Sequence, residues 1–182
     1  MQQINQSLVK AIRQKFCNVE KCPISGDRIF FENAGGALTL RSALETSTKY
    51  AAIPDNQGRD NLTSNTLNSI IKNAKNDLSY LLNTHSGEFF MGESGTELLF
   101  RLIRNSLLAS PSGGSIVGTS LEHPASRSAA KKWADEMDYT YCSVPHNVEM
   151  GTVDPEAYAN HISETTRVVT IVHASPVTGM GP

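Results

Sequence analysis

The sequence lacks the features of membrane, secreted and nucleic-acid-binding proteins. None of its apolar runs approaches the roughly 20 residues that span a bilayer, and its first residues lack the basic-then-apolar order of a secretory signal. Net charge is −2 and the longest basic run is Lys131-Lys132, which disfavours binding to a nucleic-acid backbone. We therefore expect a cytoplasmic protein that binds neither membranes nor nucleic acids.

Cysteine is also scarce. The chain has three, Cys17, Cys22 and Cys142, and the first two lack the second Cys or His pair that a zinc site requires. We interpret all three as reduced thiols. A metal site built on His123 and His173 would lack a visible third ligand, so no metal is predicted.

What the chain does contain is an alternation of strand-like and helix-like segments. Its 182 residues suit one ordinary domain or the first half of a larger one. Apolar spacing predicts helices within residues 4–16, 38–52 and 67–82, and further helices after Ser94, His123 and Asp154. The predicted strands are residues 89–91, 115–118, 139–144 and 167–172, the last apolar enough to be buried on both faces. This order predicts a parallel sheet wrapped by helices, with ligands at the carboxyl ends of the strands.

The junction Gly92-Glu93-Ser94-Gly95-Thr96 joins the first predicted strand to a helix. A strand that turns through small residues into a helix directs free amides and the positive end of a helix dipole at one point, which suits a phosphate. The alternative is structural, because Ser94 and Glu97 have the spacing of a capping box. The junction matches neither a dinucleotide fingerprint nor a P-loop, and Thr96 breaks the Gly-x-Ser-x-Gly elbow of hydrolases.

Two later junctions have the same form. Glu122-His123-Pro124 follows the second strand, and His173 ends the fourth, so both histidines are expected at the edge where the anion site lies. The alternative for His123 is a polar loop residue beside a helix start. The other histidines have no such setting; they are His85, His146 and His161.

Taken in order, these motifs resemble those of class V aminotransferases, and the cysteine desulfurase and selenocysteine lyase branch is the most similar. The motifs are Asn33-Ala34-Gly35, Gly92 to Glu97, Glu122-His123-Pro124-Ala125 and Ser175-Pro176-Val177-Thr178-Gly179. The resemblance implies the large domain of an α/β pyridoxal-5′-phosphate-dependent transferase, like that of aspartate aminotransferase. Here that domain would be an incomplete three-layer parallel-sheet sandwich. Residues 1–60 would form a helical segment and a substrate-side loop, and residues 61–182 half of the cofactor-binding domain, in a family that forms homodimers.

The resemblance also implies roles for individual residues. Gly95 and Thr96 would bind the cofactor phosphate, and His123 would stack on the pyridine ring and relay protons. Asn33, Ala34 and Gly35 would line the substrate end of the pocket. Pro176 stands where the family has an asparagine that hydrogen-bonds the ring, and proline offers no donor.

By the same resemblance, this chain holds no catalytic residue. The lysine that forms the Schiff base and the carboxylate that pairs with the pyridinium nitrogen are expected beyond Pro182. We therefore interpret the chain as an N-terminal fragment. Its predicted strands would have unpaired apolar edges, so it is expected to be poorly soluble or inactive alone.

The predicted function is that of a pyridoxal-phosphate enzyme acting on an amino acid through an external aldimine, as a lyase or a transaminase. The alternative is a non-catalytic remnant or regulatory subunit that keeps the phosphate site. A third interpretation, a serine hydrolase using Ser94, is disfavoured by the broken elbow.

Overall fold

The computed structural model describes residues 5–54, 58–176 and 178–180. The chain packs as two compact units, Met1–Gly87 and Glu88–Pro182. The expected division into residues 1–60 and 61–182 concerns the parts of a complete domain rather than local packing, and it stays a prediction. None of the described helices is long and apolar enough to cross a membrane, and all three cysteines are free thiols.

The N-terminal unit consists of helices and one small antiparallel hairpin. Its elements are α1 (Gln6–Arg13), β1 (Lys21–Cys22), β2 (Gly26–Asp27), α2 (Arg41–Ala51) and α3 (Leu62–Leu81). Asparagine side chains begin two of the helices: Asn5 accepts from amides of α1 and Asn61 from an amide of α3. The helical N-terminal segment is thus confirmed. However, α1 ends at Arg13 rather than near Phe16, which instead bridges to Leu40.

The C-terminal unit is a small parallel sheet with helices on both faces. Its elements are α4 (Gly95–Leu108), β3 (Ser115–Thr119), α5 (Pro124–Glu136), β4 (Thr140–Val144), α6 (Pro155–Ala159) and β5 (Thr166–Val169). β3 lies in the middle, parallel to β4 on one side and to β5 on the other. The α/β class and the parallel sheet predicted from the alternating pattern are therefore confirmed.

Two successive residues of β3 belong to the two halves of the core, because successive side chains of a strand point to opposite faces. Ile116 packs with α4 and α5 through Ile103, Leu107, Ala129, Ala130 and Ala134. On the other face, Val117 packs with Leu121, Val144 and Val153, and α6 contributes Tyr158. This gives the three layers of the expected sandwich.

Two predicted strands differ from the structure. Residues 89–91 form no strand, and Phe90 and Met91 are 83% and 60% exposed. A strand needs a hydrogen-bonded neighbour, and no described segment pairs with these residues. β5 stops at Val169, and none of its residues is fully buried, so the expectation of burial on both faces up to Val172 was wrong. The amide of Thr170 still donates to the carbonyl of Val117, at 2.8 Å.

Candidate functional site

Three loops leave the sheet at one edge. Because β3, β4 and β5 are parallel, their carboxyl ends lie together, and we call this the carboxyl edge. The first loop leads from Thr119 to His123, the second starts at Pro145, and the third runs from Thr170 through Ser175.

Helix α4 begins on the same side of the unit. Tyr139, at the amino end of β4, donates from its hydroxyl to the carbonyls of Leu107 (3.3 Å) and Pro111 (2.9 Å). The C-terminal end of α4 therefore lies at the amino edge of the sheet. Since an α-helix is a straight rod of about 1.5 Å per residue, its first residue, Gly95, lies towards the carboxyl edge.

The start of α4 combines a cap with free amides. Ser94 Oγ accepts a hydrogen bond from the amide of Glu97 (3.2 Å), and Glu97 Oε2 accepts one from the amide of Glu93 (3.1 Å). The capping box therefore exists, except that Glu97 accepts from the amide one residue before Ser94. Ser94 is the N-cap of the helix. The amides of Gly95 and Thr96, the first two of the helix, have no intrahelical acceptor.

This helix start has room for an anion. Gly95 and Thr96 are exposed, and a Cβ added at Gly95 would meet no atom within 4 Å. Glu97, the one acidic residue of the first turn, is paired with Arg101 at 2.9 Å, which offsets its charge. Two free amides, the Thr96 hydroxyl and the helix dipole are what a phosphate needs.

His123 is the N-cap of α5, and its cap hydrogen bond determines how the ring can act. The residue is exposed, and its Nδ1 accepts from the amide of Ala125 at 3.1 Å. An accepting Nδ1 carries no proton, so in the neutral ring the proton is on Nε2. Nε2 makes no hydrogen bond to any residue that the structure describes. The capping role and a role towards a ligand are compatible, because they use different nitrogens.

A buried polar cluster underlies the carboxyl edge, and sequence reasoning did not find it. Glu122 is 6% exposed and Thr119 is fully buried. Within the part of the chain that the structure describes, one oxygen of each has no hydrogen-bond partner, and the same holds for the hydroxyls of Tyr141 and Thr170. Thr119 and Glu122 belong to the junction after the second predicted strand, whereas Tyr141 and Thr170 come from separate elements with no shared signal.

The cluster changes the acidity of two tyrosines. Burial raises the pKa of Tyr141 above its ordinary value, and the negative charge of Glu122 raises it further. Burial also raises the pKa of Tyr158, again with a contribution from Glu122. Both phenols therefore stay protonated near neutral pH.

A second residue missed at the sequence level is His146. It lies just beyond the end of β4, and its Nδ1 is 2.7 Å from Ser120 Oγ, which also accepts from the amide of His146 at 3.0 Å. The earlier statement that His146 has no strand-end setting was therefore wrong. The signal was present, because the strand was correctly predicted to end at Val144.

The loop after β5 is a closed turn. The amide of Ser175 donates to the carbonyl of Met180 (2.8 Å), and the amide of Gly179 donates back to the carbonyl of Ser175 (2.9 Å). Ser175 is 3% exposed, whereas Pro176 and His173 are exposed. Val177, which belongs to the same motif, lies outside the described residues.

The remaining predicted site residues belong to the N-terminal unit. Asn33, Ala34 and Gly35 form an exposed turn in which the amide of Gly35 donates to the carbonyl of Glu32 at 3.0 Å. Their expected place at the substrate end of the pocket stays a prediction. Among the residues that the structure describes, no group of three His, Cys, Asp or Glu side chains could hold a metal ion.

Comparison with known proteins gives one family and a consistent set of similar structures. Residues 29–181 match the family described as aminotransferase class V. The cysteine desulfurase NifS of Azotobacter vinelandii is 30% identical over 116 residues, which are 63% of this chain and 28% of that protein.

The solved structures are similar in fold at low identity. The cysteine desulfurase CsdA of Escherichia coli has a TM-score of 0.72 at 18% identity, covering 95% of this chain and 43% of that one. A lysine-to-alanine mutant of C-DES with glycine covalently linked to its PLP cofactor has a TM-score of 0.67 at 22% identity, covering 90% and 41%. The cystine C-S lyase C-DES in complex with cysteine persulfide scores 0.63 at 21%, covering 84% and 40%. The chain spans less than half the length of each of these relatives.

Proposed function

This chain belongs to the class-V aminotransferase family, and from that premise we propose that it forms part of a pyridoxal 5′-phosphate site that acts on an amino acid. The observation that carries the proposal is the pairing of free helix-start amides at Gly95 and Thr96 with an exposed imidazole at the carboxyl edge, that of His123, whose cap bond uses Nδ1. When bound, the cofactor supplies an electron sink for bonds broken at the amino-acid Cα.

The phosphate of the cofactor is proposed to bind at α4. Gly95 and Thr96 donate their amides, and the Thr96 hydroxyl donates a further bond, as expected for an anion at a helix N-terminus. Gly95 allows the backbone to approach the phosphate, because nothing occupies the position of its missing Cβ. The three donors would orient the cofactor as well as bind it.

His123 is proposed to lie against the pyridine ring. Its cap bond to Ala125 holds the imidazole in one orientation, and its Nε2 is the nitrogen that can hold or move a proton at the substrate. Asn33, Ala34 and Gly35 are proposed to face the substrate. Pro176 leaves no donor at the position that contacts the ring hydroxyl in the family, so that hydrogen bond would come from another group.

The Schiff-base lysine is proposed to come from outside this chain. The described lysines do not suit the role: most lie on helices, and Lys132, the last of them, is ion-paired with Glu136 on α5. The match to a desulfurase and the likeness to a C-S lyase make sulfur-containing amino acids the first substrate class to test. A homodimer in the cytoplasm is proposed by the same family reasoning.

The test uses two threonines in equivalent positions. Thr96 is the second residue of α4, and Thr63 is the second residue of α3; both are exposed. In the full-length protein, Thr96→Val is expected to weaken binding of pyridoxal 5′-phosphate by about tenfold, the value of one hydrogen bond to a charged group. Thr63→Val should leave it unchanged. Equilibrium dialysis measures both, and equal affinity in the two variants would refute the phosphate site.

A non-catalytic protein that keeps the phosphate site is the competing function. Borohydride reduction followed by intact mass separates the two. A pyridoxyl adduct on the full-length protein supports the enzyme, and reversible binding without an adduct supports the alternative. An adduct on the 182-residue chain would contradict the proposal that its lysines do not serve.

A further inference from the structure

Residues 145–152, in the connection between β4 and α6, form a loop with several internal hydrogen bonds. The amide of Asn147 donates to the carbonyl of Thr152 and the amide of Gly151 to the carbonyl of Asn147, both at 2.8 Å. Inside the loop, Asn147 Oδ1 accepts from the amides of Glu149 (3.0 Å) and Met150 (3.1 Å). Gly151 closes it at a φ of +69°, where other residues are strained. We call this segment the β4 loop.

At its start, the β4 loop holds the turn that carries His123. The amide of His146 donates to Ser120 Oγ, and the same oxygen is hydrogen-bonded to His146 Nδ1. The hydroxyl has one proton and two lone pairs, so it can accept from the amide and either donate to Nδ1 or accept from it, depending on the histidine tautomer. Ser120 also donates its amide to the carbonyl of Val144 at 3.0 Å. The Ser120–His146 pair thus joins the β3 and β4 loops just beyond the sheet.

At its other end, the β4 loop holds the turn after β5. Thr178 Oγ1 donates to the carbonyl of Gly151 at 3.3 Å, and it accepts from the amide of Met180 at 3.2 Å. A Cβ at Gly151 would lie 3.4 Å from the Cβ of Thr178, so the side chain of Thr178 lies beside Gly151. One loop therefore connects both of the other loops at the carboxyl edge.

We propose that the β4 loop is a positioning element for the cofactor site, and that His146, acting through Ser120, sets the place of His123. This inference rests on the proposed function. Between Ser120 and His123 the chain makes a single turn, with Leu121 and Glu122 buried and the amide of Glu122 bonded to the carbonyl of Thr119. The turn is short and its residues are held in place, so the hydrogen bonds that restrain Ser120 also restrain the position of His123. A shift of about 1 Å in such a residue is enough to cost a large factor in function.

The experiment compares three substitutions in the full-length protein. His146→Ala removes the partner of Ser120, and His146→Asn restores it, because the amide oxygen of asparagine takes the position of Nδ1. The control is His161→Ala, which removes a histidine that follows α6 and whose ring is hydrogen-bonded to the carbonyl of Ala157 in that helix. Hydrogen exchange of residues 119–126 without cofactor is measured first, then affinity for pyridoxal 5′-phosphate and its visible circular dichroism.

With His146→Ala, we expect about fivefold faster exchange confined to residues 119–126 and about fivefold weaker cofactor binding with altered dichroism, the loss of roughly one neutral hydrogen bond. His146→Asn and His161→Ala should resemble the wild type. Unchanged exchange and affinity in His146→Ala overturn the inference, as does faster exchange spread evenly over the whole C-terminal unit, which marks a merely structural role. If His146→Ala does not fold, Ser120→Ala breaks the same pair from the other side.

Failure of the proposed function gives a different result. A wild-type protein that does not bind pyridoxal 5′-phosphate refutes the cofactor site, whereas the exchange measurement without cofactor still decides whether His146 holds the turn of His123.

Discussion

One imidazole at the carboxyl edge serves the fold and the proposed chemistry with separate atoms. His123 Nδ1 accepts a hydrogen bond from the amide of Ala125 and caps α5, while Nε2 is not used in the cap of this exposed residue. Substitution to alanine would remove both functions at once, so its effect on activity could not be assigned to either. Asparagine is a better probe, because its short amide is among the preferred N-cap side chains.

We predict that His123→Asn leaves the free energy of unfolding within about 0.5 kcal/mol of the wild type, whereas His123→Ala lowers it by about 1 kcal/mol. Both variants should lose the visible circular dichroism of bound pyridoxal 5′-phosphate, since neither has a ring to stack. Denaturant unfolding and dichroism measure the two effects separately. Normal dichroism in His123→Asn would rule out stacking by this residue.

A second prediction at the scale of single residues concerns Glu122. Its charge helps burial to raise the pKa of Tyr141 and Tyr158, so Glu122→Gln should lower both values, as read from the tyrosine carbon chemical shifts. In the wild type, the unfolded chain loses these phenolic protons first, near pH 10. The contribution of the two phenols to the free energy of unfolding is therefore fully present below that pH, and it decreases as the pH rises further.

The control for this prediction is an acidic residue outside the cluster. Glu136 is half-exposed and paired with Lys132 on α5, and Glu136→Gln should leave the Tyr141 and Tyr158 titrations in place. If Glu122→Gln shifts neither tyrosine, the carboxylate does not act on them and burial alone raises their pKa.

At the scale of elements, β3 depends on a glycine next to its end. A Cβ at Gly118 would lie 2.7 Å from Thr170 Oγ1 and 3.0 Å from the Tyr141 hydroxyl. Gly118→Ala is therefore predicted to lower the free energy of unfolding by roughly 1–3 kcal/mol, the range for overpacked cores. Gly36→Ala, where a Cβ would meet nothing within 4 Å, is the matched control and should change little.

The double variant Gly118→Ala with Thr170→Ala tests the cause. Removing the Thr170 hydroxyl takes away the shorter of the two contacts, so part of the lost stability should return. If the double variant instead loses as much stability as the two single variants together, the close approach of Gly118 and Thr170 is not the cause of the destabilisation.

At the scale of the whole molecule, the C-terminal unit leaves many apolar side chains in solvent. The exposed ones include Phe90, Met91, Leu102, Leu108 and Ile171, each more than half exposed. Exposed apolar surface of this kind favours association. We predict that the isolated 182-residue chain binds a hydrophobic dye and elutes from size exclusion as self-associated species. A monodisperse monomer that binds no dye would contradict this.

Local chemistry explains which features the sequence could predict. The start of α4 follows from Ser94 and Glu97, and that of α5 from His123 and Pro124, because caps involve residues only a few positions apart. The order of strands and helices from Ser115 onward follows from apolar periodicity, which is equally local. By itself, then, the sequence determined the parallel α/β unit and the start of α5 at its carboxyl edge.

The tertiary structure decided the rest. Whether residues 89–91 form a strand depends on a partner that their own sequence does not contain, and the described chain supplies none. Ser120 and His146 are 26 positions apart, and no local pattern marks either as the other's partner. They meet because two parallel strands end at the same edge, and a contact of that kind exists only once the sheet has formed.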